Sequence, residues 1–407
     1  MFYLLLRCLR RYRWFALLGG ALLLSSVGNG LTYVIVFGKL LGSEARPSAL
    51  TLAYIVALAP GIPGSLLAEK LLIRMPLMAI LVLSEGIGLA GLAFPLGSLY
   101  SDSRLLLLTS QAVSAFAGGM MVPVLSQILK NGLRHGDLPA ASGLETLIFA
   151  ANVILGIGIG TVLYGHVPPS GLLALDAISF VLSIGLLIAA HRVFRGVAQH
   201  RVEASTGRIR WRTLPLQRKR SLLMLPALAL VGAPAMALLP ALAPQFGGET
   251  TSAGLMLLLA RSLGQLIGPL LLTEAQLERQ SGKFSLPFLF LALFISCYML
   301  VALTDKQWLA MLLIILAHIF TNIVYVLATL TIMRTFPTAQ TGMAMAKSWR
   351  IQLIITLILP VLAGLAADRY DPALVLYLFS GGGLILVGFG GWIVKWNRKK
   401  PLSRELS

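Results

Sequence analysis

Seven Lys, Arg, Asp or Glu side chains stand inside apolar runs of this sequence: Lys39, Glu85, Glu145, Asp176, Arg261, Lys347 and Arg350. His318 makes an eighth ionisable group. A charge at the centre of a membrane helix costs about 2.5–3.5 kcal/mol, so its retention asks for a partner, a water-filled cavity or a task. Arg261 lies in the middle of LMLLLARSLGQLIG, too deep to reach water easily. Its guanidinium stays charged and offers a planar fork matched to a carboxylate, so it either grips an anionic ligand or pairs internally, with Glu145 as a conceivable partner. His318, in IILAHIFTNIVYVL, shares a helical face with Asn322 and Tyr325. Such a histidine is either a satisfied core residue or a donor and proton carrier with a pKa near neutrality. Asn29 and Tyr33 repeat the i, i+4 polar spacing near the start of the chain. Lys347 and Arg350, in MAMAKSWRIQLII, lie on one face. Lys347 is close enough to the end of its run to snorkel, as is Lys39, whereas Arg350 is a turn deeper. Glu85 and Asp176 fit best as structural acids bonded to backbone or a neighbouring serine. No HExxH, GxSxG, paired CxxC or GxxxxGK[ST] occurs, so no catalytic residue, metal site, cofactor or built-in ATPase is expected.

The elements that hold these groups are long apolar segments. The chain has 407 residues, 57% of them hydrophobic and only 12% charged, about half the charged share of a soluble domain. Runs long enough to cross a ~30 Å hydrocarbon core recur throughout. They predict twelve spans, near 15–41, 49–68, 76–98, 104–128, 140–164, 170–191, 221–244, 251–273, 284–303, 307–333, 340–366 and 371–394. The net charge of +18 is a topology signal. With both termini cytoplasmic, the connecting segments on that side hold 25 Lys/Arg, against Arg46, Arg104, Lys306 and Arg369 outside, while loop acids divide evenly. Binding to nucleic acid is therefore not expected; attraction to anionic lipid is. Cys8 and Cys297 predict no disulfide framework. The opening MFYLLLRCLRRYRW precedes an apolar run too long for a cleaved signal and reads as an interfacial amphipathic segment. The organisation is thus a cytoplasmic segment (1–14), a six-helix bundle (15–191), a basic cytoplasmic linker (192–220), a second six-helix bundle (221–394) and a cytoplasmic tail (395–407). Two six-helix sets joined by a long linker match a pseudo-symmetric secondary transporter.

Several segments carry a more specific likeness: SSVGNG (Ser25 to Gly30), GDLPAASGLETL (Gly136 to Leu147), LLALDAISFVLS (Leu172 to Ser183), and Gly232-Ala233-Pro234 followed by Leu239-Pro240. In this order they resemble the major facilitator superfamily, in particular its branch of bacterial exporters that includes the enterobactin (siderophore) exporter and the macrolide-efflux proteins. The resemblance implies an all-α integral membrane protein of the bacterial cytoplasmic membrane, working by alternating access, proton-coupled and functional as a monomer. The superfamily's loop between helices 2 and 3 survives only as GSLLAEKLLIRM (Gly64 to Met75), in which Glu69, Lys70 and Arg74 are the implied gating residues. In helix 5 LGIGIGTVL lacks the exporter motif's proline but keeps Gly156 and Gly160 as a small-xxx-small packing face.

The family's helix roles place Arg261 on helix 8, His318, Asn322 and Tyr325 on helix 10, Lys347 and Arg350 on helix 11, and Asn29 and Tyr33 on helix 1, all expected to contact substrate. Glu145, His318 and Glu85 are the proton-coupling candidates. Arg261, Arg350 and Lys347 together would form a basic wall that selects anions. The expected cargo is therefore an anionic siderophore of the carboxylate type, exported with the help of protons and of a membrane potential worth about 2.3 kcal/mol per charge per 100 mV. Multidrug or macrolide efflux and export of another anionic metabolite are the alternatives, with a membrane receptor or lipid-modifying enzyme more remote.

Overall fold

The computed structural model describes residues 2–42, 55–101, 103–164, 166–198, 209–246, 250–273, 276–277 and 284–389. Among them every regular element is helical, as a bilayer core demands, because a helix alone satisfies all its backbone groups within one segment. A short amphipathic helix, α1 (Phe2–Arg11), precedes the first long helix, α2 (Arg13–Gly42). The first half continues with α3 (Gly61–Leu71), α4 (Leu77–Ser101) and α5 (Arg104–Gly132). Next, α6 (Pro139–Ala150) runs through a π-helical stretch, Ala151–Gly158, into α7 (Ile159–Leu163), and α8 (Pro169–Ala198) closes the half. The second half holds α9 (Leu216–Leu238), α10 (Thr250–Leu270), α11 (Ser285–Val301), α12 (Gln307–Thr335), α13 (Thr341–Ala367) and α14 (Pro372–Phe389).

Eight of these described helices are long and apolar enough to cross a membrane, and Ile154–Leu163 and Ser285–Val301 are shorter apolar helices. The twelve expected spans are thus not all met by one long helix. The second reaches into residues outside those described, and the fifth passes through the π stretch. The eighth (Thr250–Leu270) is not among the eight, and the ninth is a 17-residue helix. Across the bounds expected for the basic linker, α8 runs on to Ala198 and α9 begins at Leu216. Residues 199–208 within it, and the tail at 395–407, lie outside the described residues.

The surface helix α8 is apolar outside and carries a polar stripe within. Its Leu175, Ile178, Val181 and Leu182 are exposed, while Asp176, Ser179 and Ser183 form the buried stripe. Helix crossings use glycine where backbones touch. A Cβ on Gly30 would stand 2.6 Å from the Gly156 Cα, so α2 crosses the π stretch glycine on glycine. The second half has a similar contact, where a Cβ on Gly264 would meet the His318 Cβ at 2.8 Å and one on Gly268 the Ile319 carbonyl at 2.8 Å, joining α10 to α12. Small residues allow this approach where lipid supplies no hydrophobic drive between helices.

Prolines inside the helices each free a carbonyl four residues back, and two of these carbonyls are recaptured by a neighbouring helix. Pro226 frees the Leu222 carbonyl, which accepts from Ser348 Oγ at 2.7 Å. Pro269 frees the Gln265 carbonyl, which accepts from Asn322 Nδ2. These bonds tie α13 to α9 and α12 to α10.

One buried core runs through both halves. It joins Met120, Val124, Ile128 and Leu129 of α5 to Leu330, Ile332 and Met333 of α12 and to Ala344 and Met345 of α13. These residues occupy the ends of the helices nearest the basic connecting segments. A second core, around Phe294, Tyr298, Ile314 and Ala363, belongs to the second half alone. A third and a fourth, around Val36 with Leu107 and around Ile35 with Leu172, belong to the first. The halves therefore share a core at the basic end and keep separate cores toward the other.

Candidate substrate cavity and the clasp beneath it

Two adjoining cavities lie between the halves near the middle of the helices. The larger, about 400 Å³, is lined by Arg261 and Gln265 of α10, Thr321, Asn322 and Tyr325 of α12, Gln352 and Thr356 of α13, and apolar residues of α9. The smaller, about 280 Å³, shares Gln265, Asn322 and Tyr325 and adds Glu145 and Thr146 of α6. Together they carry one guanidinium and one carboxyl among amides and hydroxyls. Arg261 makes no ion pair among the described residues, with Glu145 or with any other acid. Three oxygens of the lining, Glu145 Oε2, Gln265 Oε1 and Gln352 Oε1, are buried without a hydrogen-bond partner. Leaving such groups unmet costs about 1–3 kcal/mol each, so they mark places to be filled by water or by a solute.

Arg261, Asn322, Tyr325 and Glu145 are thus brought together by the fold. Asn322 is only partly available, because its Nδ2 is engaged by the Gln265 carbonyl. Gln265 and Gln352 are additions that a search for charges passes over. Their signal was an uncharged amide inside an apolar run, one turn after Arg261 and two residues after Arg350.

Arg350 and Lys347 do not line either cavity. Arg350 Nη2 pairs with Glu69 Oε2 of α3 at 2.7 Å, and its Nη1 donates to Ser65 Oγ at 3.3 Å. Lys347 Nζ donates to the Ile209 carbonyl in the linker at 3.2 Å. The expected basic wall is therefore a single cation, Arg261, since the other two turn toward the basic end and are neutralised or capped there. Glu69, expected as a gating residue, is one half of this clasp between the bundles, while Lys70 and Arg74 are exposed beside it. Gln127 of α5 adds a second tie across the halves. Its Oε1 accepts from the Gly342 amide at 2.6 Å and its Nε2 donates to the Thr338 carbonyl.

His318 is not at the cavity either. Fully buried, it bonds through Nε2 to the Tyr298 hydroxyl at 2.8 Å and meets the Phe294 ring edge-on. This is the satisfied-core alternative in geometric form. Asn29 donates back to the Ser25 carbonyl of its own helix at 2.8 Å, and neither it nor Tyr33 lines the two cavities. Glu85 and Asp176 are buried inside the first half. Asp176 accepts from Thr32 at 2.5 Å and Ser179 at 3.2 Å, and Glu85 lies beside the hydroxyls of Ser25 and Ser183. Lys39 donates to the Ser98 carbonyl at 3.1 Å.

At the basic end, Asp137 anchors α1. It accepts from the Tyr12 hydroxyl at 2.7 Å and pairs with Arg7 at 3.4 Å and Arg11 at 3.6 Å. Burial, reinforced by Asp137, pushes the Cys8 thiol up to about 12 and raises the Tyr12 phenol above its usual range.

No protein-family model matches the chain. A segment of 67 residues is 48% identical to part of an uncharacterized 29.9 kDa protein in the crtE 3' region of Pseudescherichia vulneris, covering 16% of this chain and 25% of that protein. Among solved structures, a bacterial homologue of the iron transporter ferroportin in its outward-facing state superposes with a TM-score of 0.68 at 16% identity, over 94% of this chain and 98% of that one. The proton:xylose symporter XylE gives 0.64 at 15% identity over 93% and 94%. The E. coli fucose:proton symporter FucP gives 0.59 at 14% over 92% and 97%. All-helical, multi-pass and superposable along nearly its whole length, the chain has the fold of the major facilitator superfamily transporters.

Proposed function

We propose that this protein is a secondary transporter for a small organic anion or zwitterion, with Arg261 holding the carboxylate. The observation that carries the reading is a permanent cation near mid-membrane, facing a cavity and lacking an acid partner among the described residues. A guanidinium so placed repels cationic drugs and attracts a carboxylate, which weighs against macrolide efflux. The neighbouring unpaired oxygens of Gln265 and Gln352 suit the hydroxyl or amine donors of the same solute. A bare metal ion is a poor fit, because no group of three His, Cys, Asp or Glu comes together among the described residues.

The cavity volumes, about 400 and 280 Å³, lie at the lower end of small-molecule sites. With one cation in place of three, the cargo class narrows from polyanions to solutes with one carboxylate. A small carboxylate siderophore remains a member of that class. The exporter likeness of the sequence supports outward movement, and Glu145 is the acid placed to exchange a proton with the cavity. Glu69 and Arg350 hold the basic, cytoplasmic end shut while the cavity is loaded or emptied from the other side.

The test is binding of a panel of mono- and dicarboxylates and amino acids to purified protein, with Arg261→Gln and Arg261→Lys beside the wild type. A charge-assisted bidentate contact is worth about 1.5–3 kcal/mol, so Arg261→Gln should weaken the best ligand by roughly 10- to 100-fold. Unchanged affinity in that variant refutes the assignment. Secretion by a deletion strain, followed by mass spectrometry, tests the cargo and the direction; unaltered release of every chelator removes the siderophore.

A further inference from the structure

A separate groove, about 450 Å³, opens on the outer surface of the second half between α9, α13 and α14. Its walls are apolar, formed chiefly by Leu223, Pro226, Ala227 and Leu230 of α9 and by Ile351 and Ile355 of α13. One charged residue, Arg220, lines it. The groove is on the surface that faces lipid, since Leu223 and Leu386 beside it are 44% and 63% exposed.

Its orientation follows from the helices. Arg220 belongs to the first turns of α9, next to Arg218 and Lys219 at the basic end, and Phe284, just before α11, lies at the same level. From Arg220 to Leu230 the helix advances about 15 Å at 1.5 Å per residue. That is half of a ~30 Å hydrocarbon core, or the depth of one leaflet. A cation at the headgroup level above an apolar slot one leaflet deep is complementary to an amphiphile with an anionic head and one long chain. Basic pockets between membrane helices on the cytoplasmic side recognise anionic lipid headgroups on this principle.

We propose that the groove binds one anionic phospholipid of the adjoining leaflet, its phosphate on Arg220 and one acyl chain along Ala227, Leu230 and Ile355. The site bears on transport because it shares its walls with the substrate cavity. On α13, Ile351 and Ile355 face the groove while Gln352 and Thr356 face the cavity. On α9, Ala227 and Leu230 face the groove while Ala229 and Ala233 face the cavity. A chain in the groove therefore props the pair of helices that the Ser348 to Leu222 bond joins.

The experiment uses the purified full chain, stripped of lipid in detergent and titrated with phosphatidylglycerol or phosphatidylcholine of identical chains, with bound lipid counted by native mass spectrometry. Phosphatidylglycerol should bind at least about fivefold more tightly, the worth of one cation near the surface. Arg220→Gln should erase the preference, and Ala227→Trp should reduce binding of both lipids by filling the slot. Leu223→Trp serves as the second groove variant, and thermal unfolding in detergent identifies any variant that has lost its fold. Equal binding of the two lipids by the wild type, or a preference that survives Arg220→Gln, overturns the proposal. So does displacement of the lipid by soluble glycerol phosphate, which identifies a headgroup site with no use for the groove.

Discussion

On the transporter reading proposed above, the Arg350–Glu69 clasp makes a quantitative demand on the conformational equilibrium. The pair is 2.7 Å apart, with side chains 16% and 26% exposed, so it is neither a surface ion pair nor a fully dry one. Two unit charges about 4 Å apart at an effective dielectric of 20 attract by about 4 kcal/mol before desolvation is charged against them. A hydrogen bond to a charged group nets about 1.5–3 kcal/mol, and about 2 kcal/mol is a fair value for this site. Glu69→Gln removes most of it, because Arg350 then keeps only Ser65 and an uncharged amide. On that reading the halves part at the basic end in a second state, so that loss falls on one state alone, and the equilibrium would shift roughly 30-fold. A basic-side-open population of one in a hundred would rise to about one in four. Spin labels at Gly136 and Gln217, which belong to different halves at the basic end, read this directly once the buried Cys8 and Cys297 are replaced by serine. Electron–electron distance measurements should show one short distance in the wild type and an added longer one in Glu69→Gln. The exchanged pair Glu69→Arg with Arg350→Glu should restore the short distance. A distribution unaltered by both Glu69→Gln and Arg350→Gln refutes the clasp.

Two further outcomes follow from local chemistry. Ser348→Ala leaves the carbonyl freed by Pro226 without its donor, which should lower stability by about 1–3 kcal/mol and show as an earlier unfolding midpoint in detergent. Ser348→Thr keeps the hydroxyl and should recover part of it. Raised values for the Cys8 thiol and Tyr12 phenol mean that the docked α1 binds those protons more tightly than the undocked chain. Docking is therefore strongest below the ordinary thiol value of 9.0 and weakens as pH rises toward about 12. Alkylation of Cys8 at pH 8 should be slow, and Asp137→Asn, which removes the anchor of Arg7, Arg11 and Tyr12, should accelerate it. Equal rates in wild type and Asp137→Asn would show that Asp137 does not hold the helix.

Much of the architecture was legible from composition and periodicity. Apolar run lengths located most of the helices, and the small residues Gly156 and Gly160 announced a close crossing that α2 does make through Gly30. The fifth span, expected at 140–164, is met by helix from Pro139 to Leu163, but the π-helical stretch inside it was not legible, because Ala151–Gly158 reads as ordinary apolar sequence. At the cavity the outcome was mixed. Arg261 was legible because depth alone singles out a cation that cannot reach water. Lys347 and Arg350 are placed with Arg261 by the family's helix roles, yet those roles do not say which neighbour a given face of the helix meets.

The sequence by itself determined what depends on one segment at a time: that the chain is helical and membrane-embedded, which end of the helices is basic, and how deep each charge lies. Transfer free energy and charge bias act locally and leave their mark in the order of residues. The tertiary structure decided the partners: Glu69 for Arg350 across the two halves, Tyr298 for His318, Thr32 for Asp176, and for Arg261 an open cavity. Each of those outcomes depends on how a helix is rotated about its axis and on which distant segment packs against it. A few glycines and proline-freed carbonyls set that geometry, and their effect appears only once the helices are side by side.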